Sequence, residues 1–241
     1  MERELIIQTS AEEEERAHVL SPEERHLLWA AICEAASQLR DRGRPTVCLG
    51  NSTAPIRASD PVPDPRDWKL SEALALLCVL LNAGAVHAQS VILFEALRGL
   101  TISERGLKPY VWYQATTRGH VTNLGAIPDI AVTLRPDCKT IGANIQRVIE
   151  VKRVRRLSAQ KIREEFAKAF DLNVRSYCLL TYYPIPMKIR TGASKFGLDV
   201  AELFIASHMT PADLVAHVCK KLEESRKAER FTSQLKTGYD D

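Results

Sequence analysis

No two of the six cysteines in the 241-residue chain are spaced C-x-x-C, and none of the six histidines falls in an H-E-x-x-H or comparable pair. A thiolate zinc site, a dithiol redox pair and a histidine-held metal are therefore not expected. Long apolar runs are also lacking. The longest, Ala73 to Val86, has 14 residues and is interrupted by Asn82, short of the ~20 that cross a bilayer. The Met-Glu-Arg-Glu start has neither the basic opening nor the apolar core of a signal peptide. These absences predict a cytoplasmic chain without a membrane segment, its cysteines buried and reduced. Internal repeats and low-complexity tracts are missing too, and the net charge is only +3.

What is present is an ordinary globular composition, 45% apolar and 26% charged. Ser21-Pro22-Glu23-Glu24 predicts a helix start with a capping box, followed by Leu27, Leu28, Ala31, Ile32, Ala35 and Leu39 at helical spacing. Residues 43–69 hold five of the twelve prolines and read as a loop with a short strand at Thr46 to Leu49. The expected organisation is an N-terminal helical extension and linker over 1–60, then a main domain over 61–241. Residues 71–98 read as helix with a break near Gly84. Strands are predicted at 110–117, 127–134, 145–154 and 174–183, the last stopped by Pro184 and Pro186. A helix capped by Ser158, with Ile162, Phe166 and Phe170 recurring every four residues, lies between the third and fourth strands. A final helix opens at Thr210-Pro211 and buries Leu214, Val218 and Leu222, with a polar tail after Arg230 expected to fray. From residue 71 the order is helix, three strands, helix, strand, which predicts an α/β sandwich around a mixed sheet.

Charge is concentrated in one place. Arg147, Lys152, Arg153, Arg155, Arg156, Lys161 and Arg163 face a single acid, Glu150, so the window 147–163 carries +6. A basic stretch on a nearly neutral chain suggests a polyanion partner, with a solvated basic face as the plainer alternative. Within it, Glu150 and Lys152 share one side of a predicted strand, opposite Ile149, Val151 and, largely, Val154. A hairpin folded about Lys139 and Thr140 puts Asp129 opposite Glu150. Two adjacent carboxylates repel unless a cation lies between them, and Mg2+ binds one or two carboxylates together with waters and phosphate oxygens. The set suits metal-assisted phosphodiester hydrolysis, with Lys152 placed to position or deprotonate water or to stabilise developing charge. The peptide oxygen of Val151 is a further candidate ligand. The competing reading makes Glu150 and Lys152 an exposed charged face and Asp129 a turn residue after Pro128. Other D-x-K and P-D matches (Asp67-Trp68-Lys69, Asp137-Cys138-Lys139, Pro63-Asp64, Pro136-Asp137) fall in predicted loops or turns.

Pro128-Asp129 followed by Glu150-Val151-Lys152 resembles the signature of the PD-(D/E)xK nuclease superfamily, whose shared core is αβββαβ. The resemblance covers roughly residues 71–185. It implies a restriction-endonuclease-like fold, a Mg2+-dependent nuclease with Mn2+ as substitute, Asp129 and Glu150 as metal ligands, and Lys152 as the catalytic lysine. It also implies a glutamate from the helix before the first strand, for which Glu95 is the first candidate and Glu72 the second. Gln160 is the candidate polar residue on the helix after the lysine strand. Arg153, Arg155, Arg156, Lys161 and Arg163, with Gln160, are expected to hold nucleic acid. DNA is the expected substrate, with RNA open, and a homodimer or partner subunit is compatible with it. The alternative is a non-catalytic nucleic-acid-binding or assembly protein on the same fold.

Overall fold

The computed structural model describes residues 20–43, 46–49, 54–62, 67–83, 100–103, 110–114, 116–133, 145–154, 157–203 and 208–236. The chain is a mixed α/β protein with a five-stranded mixed sheet flanked by helices. Helix α1 (Pro22–Asp41) begins with the expected capping box: Ser21 Oγ accepts from the Glu24 amide at 3.2 Å and Glu24 Oε2 accepts from the Ser21 amide at 2.8 Å. Strand β1 (Thr46–Leu49) pairs antiparallel with β2 (Leu100–Ser103). Helix α2 (Asp67–Asn82) follows the proline-rich segment and is buried on every side from Leu70 to Leu81. It begins four residues before the predicted helix, because Asp67-Trp68-Lys69 forms its first turn rather than loop.

The central sheet contains β3 (Tyr110–Tyr113), β6 (Ile130–Thr133), β7 (Ile145–Lys152), β8 (Ser176–Thr181) and β9 (Leu198–Glu202), adjacent in that order. The first two pairings are antiparallel and the last two parallel. Strands β4 (Thr117–Arg118) and β5 (Gly125–Ala126) form a separate small hairpin, so the predicted strand over 110–117 is divided by a turn at Gln114. Helix α3 (Ala159–Leu172) crosses from β7 to β8, and the two strands pair directly. Lys188, Arg190 and Lys195, which by sequence alone suggest a basic loop beyond the fourth strand, lie on helix α4 (Met187–Lys195), β9 follows it, and α5 (Pro211–Lys236) extends into the tail expected to fray.

Strand alternation gives the sheet two apolar faces. Val111, Ile130, Ile149 and Leu180 pack with α1, α2 and α5, while Ala131, Val148, Tyr177 and Leu179 pack against α3 and α4. Phe170, predicted inward on α3, is 63% exposed, and Glu165 is buried instead. Cys33, Cys48, Cys78 and Cys178 are buried free thiols. Among the described residues no helix is long and apolar enough to cross a membrane.

Candidate functional site

The β6–β7 register pairs Ile130 with Ile149 and Ala131 with Val148. Continued by one residue, it sets Asp129 opposite Glu150, the arrangement expected from the hairpin; the hairpin's turn itself lies outside the described residues. Asp129 Oδ2 accepts a hydrogen bond from the Val151 amide at 2.8 Å, tying the acid to the strand that carries Glu150 and Lys152. Glu150 is 2% exposed. A carboxylate removed from water to that degree needs compensation, and two ammoniums supply it. Lys152 Nζ lies 2.8 Å from Glu150 Oε2, and Lys168, reaching over from α3, holds Glu150 Oε1. Lys152 is also 3.2 Å from Glu165 Oε1, and Glu165 accepts from the Tyr177 hydroxyl at 2.5 Å.

A third acid comes from the opposite layer. Glu72 on α2 accepts from the Tyr113 hydroxyl, lies 3.4 Å from Lys69 Nζ and accepts from Gln114 Nε2 at 3.1 Å. Gln114 also donates its amide to the Asp129 carbonyl at 2.9 Å. One residue thus links Glu72 to Asp129, and it does so at φ +45°, in the left-handed region that non-glycine residues seldom adopt. The cluster sits where β3 and β7 end and β6 begins.

The charges set each other's protonation. Burial, the Glu150 charge and Glu72 push Asp129 up to about 7, against the opposing pull of Lys152 and the Val151 hydrogen bond. Burial also raises Glu72, with Tyr113 and Lys69 resisting. Burial works against ionised Glu150, but Lys152 and Lys168 outweigh it and hold the group below the usual carboxylate range. Burial likewise disfavours charged Lys152, yet Glu150, Glu165 and Asp129 together push its pKa above the ordinary lysine value. The amine is thereby kept protonated.

Asp129, Glu150 and Lys152 are brought together, and Glu72, the second-choice glutamate, joins them. Glu95, Arg155 and Arg156 lie outside the described residues. Val151 contributes its amide, to Asp129. Of the basic run, Arg153 is buried at 8% exposure near Tyr182, whose hydroxyl burial and Glu24 push up in pKa against a smaller opposing pull from Arg153. Arg147 is bound to the α5 backbone at Leu222, 2.7 Å away, and to Ser225. Lys161 pairs with Glu164 at 2.9 Å, Gln160 donates to the same residue, and Arg163 is exposed. Gln114, Glu165, Lys168 and Tyr177 were not singled out by sequence. The i, i+3 spacing of Glu165 and Lys168 around the apolar stripe of α3 was the available signal.

Among the described residues no group of three or more His, Cys, Asp or Glu side chains is arranged to hold a metal ion by itself. A Mg2+ site requires less, since one or two carboxylates suffice when waters and phosphate oxygens complete the shell. The donors present are hard oxygens, and Asp129, raised chiefly by burial, also lies close enough to feel the charges of Glu150 and Glu72, so the residues fit such an ion. Comparison of the chain with protein-family models, with curated proteins and with solved structures returns no match.

Proposed function

We propose that the chain is a Mg2+-dependent nuclease of the PD-(D/E)xK type, acting on DNA. The observation that carries this reading is the hydrogen bond from the Val151 amide to Asp129, which holds that acid against the strand of Glu150, with Lys152 2.8 Å from Glu150. Counting only strands of the central sheet, α2 is followed by β3, β6 and β7, then α3 and β8; with β2 and the β4–β5 hairpin set aside as parts of separate small sheets, this order supports the restriction-endonuclease-like fold within the same proposal. Asp129 and Glu150 would hold the ion, with Glu72 close enough to add its charge. When bound, that ion supplies charge neutralisation at the scissile phosphate and a more acidic water. Lys152, kept protonated by its three acidic neighbours, is a poor proton acceptor; its part is to donate to the negative charge that develops on phosphate oxygens. Asp129, pushed up to about 7 by burial and the neighbouring acids, would have to be ionised to hold the ion.

The test is incubation of plasmid, linear and single-stranded DNA, and RNA, with Mg2+ or with EDTA. Cleavage is expected only with Mg2+, and Asp129→Asn and Lys152→Met each lower its rate by roughly 10²–10⁴-fold. One observation favours a second reading. Glu150 is already matched by two ammoniums, which suits a chain that binds nucleic acid without cutting it. Salt-sensitive binding to the same substrates with no cleavage in Mg2+ or Mn2+ would establish that reading instead.

A further inference from the structure

Lys168 has no place in the motif that marks the site, yet its ammonium is in it. The residue sits on α3, the layer facing Glu150, and its Nζ holds Glu150 Oε1 while lying 3.4 Å from the Ile127 carbonyl, two residues before Asp129. A carboxylate oxygen and a peptide carbonyl are ligands that a hard cation takes. Here an amine takes them. Its side chain remains 25% exposed against 2% for Glu150, so one end of the contact is fixed in the core and the other faces outward. Lysine is a compact point charge on a flexible four-carbon stem. The head can therefore leave Glu150 without any backbone movement in α3. Lys152 differs, being anchored on its far side by Glu165, which Tyr177 in turn holds.

We propose that Lys168 is an internal counter-ion of the site, exchanged for the divalent cation when it binds. The inference rests on the metal-dependent reading above and adds a positioning residue to it. With no divalent ion bound, the ammonium holds the Glu150 carboxylate and the Ile127 carbonyl together beside Asp129. On loading, the two cations compete for the same oxygen, and Lys168 is released toward solvent at the mouth of the site. The arrangement sets a threshold for loading and gives a buried acid a second cation beside Lys152.

The experiment measures Mn2+ binding to the full chain by electron paramagnetic resonance, without nucleic acid, for the unaltered protein, Lys168→Met, Lys168→Arg and the net-charge control Lys220→Met. Lys168→Met is expected to bind Mn2+ about tenfold more tightly, the scale of one adjacent charge acting on a carboxylate. Lys168→Arg and Lys220→Met stay near the unaltered affinity. Thermal unfolding supplies the second readout. Lys168→Met melts lower than the unaltered chain in EDTA, and the gap narrows in saturating Mn2+ because the ion replaces the lost ammonium. A purely structural lysine gives the same gap in both conditions. Lys168→Gln replaces the methionine variant if the latter does not fold. Equal or weaker Mn2+ binding by a folded, uncharged variant, or an unchanged melting gap, overturns the counter-ion proposal alone. Absence of Mn2+ binding by every protein overturns the metal-dependent reading and this proposal with it.

Discussion

Glu150 and Asp129 are neighbours with opposite protonation behaviour. Two ammoniums keep Glu150 ionised, whereas Asp129 meets mainly burial and other acids and rises to about 7. A carboxyl raised on folding makes the native state bind the extra proton, so stability declines as pH increases between the unfolded value and the folded one. For Asp129 that window runs from about 4 to about 7. In EDTA, Asp129→Asn is accordingly expected to be more stable than the unaltered chain above pH 7, on the order of 1–2 kcal/mol. The carboxylate is only partly buried, and solvent screening holds the effect to that range. The difference vanishes below pH 4, and denaturant unfolding at pH 4 and pH 8 measures it. The acids and Lys152 were legible because strand alternation and one hairpin register suffice to bring them together. Lys168 and Glu165 were not. Helical periodicity shows in apolar residues, and a charged side chain pointing inward is understood only once its partner across the layer is known.

The β4–β5 hairpin shows how an element is held beside the site. Asp171, near the end of α3, accepts from the Thr122 amide and hydroxyl, each at 2.8 Å, and its carbonyl accepts from the His120 amide. A Cβ at Gly119 would stand 2.1 Å from Asp171 Oδ2. Gly119→Ala must therefore expel that carboxylate from its bonds with Thr122. It is expected to lower stability by about 1–3 kcal/mol, the range for overpacking a fitted position, and chemical denaturation checks it. Among the elements, the long buried strands and α1 were predicted nearly to their ends. Strand β9 was missed because it buries Leu198 and Ala201, three residues apart, and leaves the residues between them half-buried. That pattern carries no period of two. Helix α4 buries only Ala193, so its sequence reads as a basic loop.

At the scale of the whole molecule, α1 shares one apolar cluster with α2, α5 and a face of the sheet. Leu28, Trp29, Ile32 and Leu39 are each at most 1% exposed. The helix before the proline-rich segment thus belongs to the same core as the elements after it. Leu28→Ala is therefore expected to destabilise the entire fold by about 2–5 kcal/mol, as cavities in close-packed cores do. A single cooperative unfolding transition, shifted to lower denaturant, is the signature to look for.

Helix α2 offers no free side from Leu70 to Leu81, and it carries Glu72. An element wedged so tightly has nowhere to swivel or slide. On the metal-dependent proposal, a ligand arriving at the acids would find that flank already standing, and would be selected by fit to a rigid shape rather than by moulding one. Adaptation, where it occurs, falls to the lysine heads.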